Sequence, residues 1–191
     1  MSTFEPAPYG TVFENLLKNT RLMPLDPGVM DHSAKAELEA LDLEQAFAPH
    51  HISDRTMAES CRSAVWMVHN YLDTSHTICQ EIETETGSYW HGILHRREPD
   101  YPNSKYWFSR VGDHAIYPML KDEAAAIASR TDDLPDEVAF LTTQSSWDPV
   151  TFIDLCEAAH LGRLPIEALC RRIQQREWEL LFDYAYHHAI G

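Results

Sequence analysis

This chain predicts an all-α fold, a single-domain helical bundle, on three observations. Apolar residues recur at three- and four-residue steps, from Met57 through Cys61, Ala64, Val65, Val68 and Leu72, and again from Ile166 through Leu169, Ile173, Leu180 and Leu181 to Tyr184. Glycine is scarce, seven in 191 residues, which leaves little room for long irregular connections. Start and stop signals are frequent, the clearest being Asp148-Pro149, a capping carboxylate followed by a proline in the first turn.

In chain order, two prolines keep residues 1–10 extended. Thr11 to about Lys18 makes a short helix with Val12, Phe13 and Leu16 inward. Pro24, Pro27 and Gly28 make residues 21–31 irregular, so 1–32 is an irregular segment with one short helix. Asp31 or Ser33 caps a helix over Ala34–Phe47, broken by Pro49. Ser53 caps a long helix that Asp73-Thr74-Ser75 interrupts and Gly87 stops. Ser88 then caps a helix over 89–98, ended by Pro99. Asp100 to Asn103 is a turn, with Asn103 capping a short helix that Gly112 ends. Pro118–Arg130 is helical, and Val138–Thr143 is open between helix and buried strand. A helix from Asp148 runs to Gly162, and Pro165 opens the last one, which buries Trp178 and leaves the rest of Gln174–Trp178 wet.

At 191 residues, 44% apolar and 24% charged, one globular domain over 1–191 is the expectation. A formal charge of −15 repels nucleic acid and anionic lipid, and the basic group Arg96, Arg97, Lys105, Arg110 is interrupted by Glu98 and Asp100. No nucleic-acid or membrane role is expected: no apolar run reaches the roughly 18–20 residues of a membrane span, and no secretory signal is visible. The four cysteines stand singly, consistent with free thiols in a reducing cytoplasm.

The densest chemistry lies between Ser88 and Gly112. On a helix over 89–98, His91, His95 and Glu98 fall within about 60° of one another, and imidazoles at i, i+4 can chelate one divalent ion. Taking the preceding helix as the other arm of a hairpin about Gly87 puts position 76 level with 98 and about 4.5 Å from the level of His95. His76, His91, His95 and Glu98 are therefore the candidate metal ligands. His69 lies about 10 Å further along and is not expected to share the ion. The competing reading makes the same histidines hydrogen-bond carboxylates and fix the hairpin. Arg96, Arg97 and Lys105, with Trp107 as a flat wall, are candidates for gripping a carboxylate or phosphate; the alternative is an internal ion-pair network joining two short helices. Serine-hydrolase and phosphate-loop patterns are missing, and the Cys79 thiol falls on the apolar side.

Two resemblances complete the reading. Gly92, Asp100-Tyr101, Ser104, Phe108 and Val111 partly resemble a tetratricopeptide hairpin, without a second copy. The string Trp90-His-Gly-Ile-Leu-His-Arg-Arg-Glu-Pro-Asp100, with Asn103-Ser-Lys-Tyr-Trp-Phe108 and Asp73 to Gln80, resembles an uncharacterised family of small, mostly bacterial proteins. That family has no established activity, so the resemblance implies none. The leading expectation is a cytoplasmic protein that binds a small ligand or one divalent metal ion in a polar pocket on the central hairpin, with metal-assisted hydrolysis or redox chemistry if it is an enzyme. The alternative is a non-catalytic helical module that docks a protein partner.

Overall fold

The computed structural model describes residues 4–191, among which lie eleven α-helices and no strand. Of the extended opening expected over residues 1–10, residues 1–3 lie outside the described part; Ala7–Tyr9 form a 3-10 turn that buries Tyr9. Helix α1 (Thr11–Leu17) buries Phe13, Leu16 and Leu17. The single helix expected over Ala34–Phe47 is two, α2 (Lys35–Glu39) and α3 (Leu43–Phe47). The reason is local: Asp42 accepts from the Gln45 amide at 2.9 Å and restarts the helix as its cap. Asp31 accepts from Ser33 instead of capping α2.

Asp54, not Ser53, caps α4 (Arg55–Val68) by accepting from the Thr56 and Met57 amides. The chain then turns at Asn70, whose φ of +64° is left-handed, and resumes as α5 (Leu72–Cys79). The break thus precedes the Asp73–Ser75 position expected for it. Helix α6 (Glu85–Arg97) starts earlier than expected because the Thr84 hydroxyl caps it, accepting from the Gly87 amide at 3.0 Å. Gly87 is no stop signal. A Cβ there would lie 2.1 Å from the Ile82 carbonyl oxygen, so glycine lets the α5–α6 connection close against the first turn of α6.

Helix α7 (Tyr101–Ser109) is capped by Asp100, which accepts from the Asn103 amide; the cap and turn assignments of these two residues are the reverse of those expected. Then follow α8 (Tyr117–Ala128), a 3-10 turn over Asp136–Val138, α9 (Phe140–Thr143), α10 (Pro149–His160) and α11 (Glu167–Ile190). Residues 138–143 are therefore helical, and Asp148 caps α10 as its sequence indicates.

The 24-residue α11, about 36 Å long, packs on α4, α8 and α10. Its Trp178 indole N–H donates to the Ala64 carbonyl at 3.1 Å. Helix α6 runs through the middle, with every residue from Thr86 to Arg97 buried. It forms a close hairpin with α7: the Phe108 ring lies where a Cβ on Gly92 would be, and the Ser104 hydroxyl donates to the Gly92 carbonyl at 2.8 Å. Of the positions that resemble a tetratricopeptide hairpin, Gly92, Ser104 and Phe108 meet.

Gln174 and Glu177, expected to be wet, are both fully buried. Glu177 pairs with Arg96 and accepts from the Tyr89 hydroxyl at 3.1 Å, while Gln174 accepts from Arg96 Nε at 3.2 Å. The Arg96 guanidinium also lies 4.9 Å from the Phe152 ring centre. Removing one partner of such a pair strands a buried charge, a cost of about 3–5 kcal/mol, whereas removing both need not. Urea melts of Glu177→Leu are expected to show a loss of that order, and the double variant Arg96→Met/Glu177→Leu to recover most of it.

Candidate metal centre

Three imidazoles converge where α5 meets α6. His91 and His95, one turn apart on α6, have nearly parallel rings 4.8 Å apart. His76 of α5 meets both edge-on, its ring centre 4.6 Å from that of His91 and 5.3 Å from that of His95. His76 Nε2 and His91 Nε2 are 2.9 Å apart, and one nitrogen from each of the three lies within 4.8 Å of the others. This group could hold a metal ion. His91 and His95 are buried and His76 is half-buried, so the cluster opens outward on the α5 side.

The surroundings treat the rings differently. Glu98 Oε2 lies 3.0 Å from His95 Nδ1, with Asp100 Oδ2 at 3.9 Å. That negative charge favours a hydrogen on Nδ1. The Asn103 amide nitrogen lies against the His95 ring, 3.1 Å from Nε2 and 3.4 Å from Nδ1. His91 stacks flat on Trp107, ring centres 3.9 Å apart and planes within 11°. Its Nδ1 is buried without a partner, so nothing ties its hydrogen to one nitrogen. Burial first, then the neighbouring His95 and His76, push His91 down to about 3. It is a neutral imidazole, the form that ligates a metal.

The other candidates fall elsewhere. Glu98 does not share the convergence point: the bend lies at 80–84 rather than at Gly87, so His76 faces His91 and Glu98 falls one step beyond, against His95. Arg96 is spent on Glu177. Arg97, fully buried, donates to the carbonyls of Met67, Asp26 and Pro27 and to Asn70 Oδ1, tying the α4 C-terminus to the N-terminal loop. Lys105 pairs with Asp154 on α10. The three cations are thus engaged singly and with different parts of the chain, not in one ion-pair network joining α6 to α7. Trp107 is a wall, but for His91, with Arg110 5.6 Å from its ring centre. His69 stays apart, bonded to Asp31 and to the Leu16 carbonyl. Burial pushes the Cys79 thiol up to about 12, so no thiolate competes.

The residue missed by sequence reasoning is Asn103. Its signal was Asp100: with the cap there, Asn103 falls in the first turn of α7, beside α6.

Three imidazole ligands suit zinc, copper, nickel or cobalt rather than magnesium or calcium. Three protein ligands also leave a tetrahedral ion one position for a non-protein ligand. Without metal, the buried neutral His91 makes the fold acid-sensitive. Between its ordinary value of 6.5 and about 3, the unfolded chain takes up a proton that the folded chain refuses. Its contribution is complete above pH 6.5 and is lost as pH falls toward 3. Denaturation midpoints of the metal-free chain and of His91→Phe are expected to show a shallower acid loss in the variant. Comparisons with protein-family models, curated proteins and solved structures find no match, so the chemistry of the cluster stands on this geometry.

Proposed function

We propose that the protein binds one divalent transition-metal ion between His76, His91 and His95. The observation that carries this reading is the meeting of three imidazoles from two helices, with two Nε2 atoms 2.9 Å apart. A tetrahedral zinc with bonds of about 2.0–2.1 Å sets its ligand nitrogens roughly 3.4 Å apart. The closest pair opens by a few tenths of an ångström and the widest closes by roughly 1.4 Å, movements within reach of side-chain torsions. Glu98 behind His95 supplies the carboxylate–histidine arrangement that orients a metal-bound imidazole. The four free cysteines support a reducing compartment, which we take to be the cytoplasm. If the ion serves a reaction, its chemistry is that of a Lewis acid or of a bound hydroxide.

A second reading has one observation behind it. The His76–His91 contact is already a good hydrogen bond without any ion, so the cluster could serve only to tie α5 to α6 in a non-catalytic module that docks a protein partner.

Tag-free protein stripped with a chelator and titrated with zinc or copper is expected to take up one ion per chain by elemental analysis, with none from magnesium. Copper, beside Trp107, is expected to quench part of the tryptophan fluorescence. His95→Ala abolishes uptake while keeping the helical circular dichroism, and Glu98→Gln weakens it by about 10–100-fold. A chain that takes up no stoichiometric metal, and unfolds when His95 is replaced, belongs to the second reading.

A further inference from the structure

We infer that the cavity beneath the N-terminal loop is a ligand site apart from the histidine cluster, and that it takes a small organic carboxylate, with its apolar body on Leu22, Val29 and Met30 and its head group on Arg21. The inference is independent of the metal reading.

The backbone of the loop comes first. Residues 22–31 form no helix or strand, so their carbonyls find no partners within a regular element. Side chains of the bundle take that place. Arg171 of α11 donates to the carbonyls of Leu22 and Met23, and Gln174 donates to that of Pro24. Arg97, at the end of α6, serves Asp26 and Pro27. Asn70 serves Val29, and the Tyr71 hydroxyl serves Asp31. Seven carbonyls along this short stretch are thus held by five side chains from elsewhere in the chain. An irregular segment fixed so closely is a preformed rim.

What that rim presents is the second observation. Among the described residues seven large apolar side chains are exposed, and three of them are Leu22, Val29 and Met30, with Val29 83% exposed. All three line one cavity of about 620 Å³, closed on its other sides by the C-terminal end of α4 and by Arg171. Small-molecule sites run to roughly 300–1,000 Å³. The pinned backbone cannot fold these side chains away from water, so a ligand that covers them gains their burial.

Charge selects the head group. The acid in the wall, Asp31, is already engaged: it accepts from the Ser33 amide and hydroxyl and faces His69 Nδ1 at 3.1 Å. Arg171 spends Nε and Nη2 on the loop and lies 3.5 Å from Glu167. Arg21 is exposed and, among the described residues, pairs with no carboxylate. A free guanidinium grips a carboxylate through two parallel hydrogen bonds. The formal charge of −15 on the whole chain meanwhile opposes ligands with several negative charges. A monoanion on an apolar body answers both walls.

The test titrates octanoate by calorimetry into the full chain after metal has been stripped. Octanoate is expected to bind one per chain. Acetate, which lacks the body, and octanamide, which lacks the charge, are each expected to bind at least about tenfold more weakly. Arg21→Gln and Val29→Asp, both at exposed positions, are expected to keep the circular dichroism and to weaken octanoate by about tenfold. The inference is overturned by a chain that binds no octanoate at one per chain, by octanamide binding as tightly, or by variants that bind octanoate like the parent chain. Each of these outcomes leaves the metal reading as it was.

Discussion

The structure depends on one constraint: α6 is buried on every side although its sequence is largely polar. A helix buried all round is ordinarily apolar all round. Here Thr86, Ser88, His91, His95, Arg96 and Arg97 are all inside, and each buried polar group without a partner costs on the order of 1–3 kcal/mol. The neighbours of α6 are accordingly chosen to answer it. His114 faces Thr86, His76 faces His91, Glu98 and Asn103 face His95, Glu177 and Gln174 face Arg96, and a ring of carbonyls with Asn70 faces Arg97.

The same accounting shows where the molecule is finished and where it is not. Each of the two arginines leaves one nitrogen unpartnered, Arg96 Nη1 and Arg97 Nε, but its other nitrogens are gripped by fixed acceptors from distant parts of the chain. The histidines are held more loosely. His91 lacks any partner on Nδ1 and leans on a neighbouring imidazole through Nε2. A basic nitrogen paired only with another basic nitrogen gives up that contact readily to a stronger Lewis acid. Within the cluster, His91 faces another imidazole rather than a carboxylate or a carbonyl.

Much of this was legible in the sequence, and the failures share a cause. The apolar periodicity of α4 and α11, the Asp148 cap and the i, i+4 placement of His91 and His95 are all local, and all stand. His76 was placed through a hairpin about Gly87, and it still meets the α6 histidines although the bend lies at 80–84. Glu98 was grouped by its angle on a helix over 89–98, but α6 ends at Arg97 and Glu98 is its C-cap, turned against His95. The helix over 34–47 was split by Asp42, whose preference for the cap outweighed the good helix formers around it. The wet reading of Gln174 and Glu177 failed for a different reason. Nothing near them in the chain indicates that an arginine 78 and 81 residues earlier would need their acceptors.

That separation has a bearing on how the chain reaches its final form. As it leaves the ribosome, α6 emerges with a guanidinium whose acceptor is still being translated, so it cannot sink into an interior that does not yet exist. Burial of Arg96 beside its carboxylate therefore waits on the docking of α11.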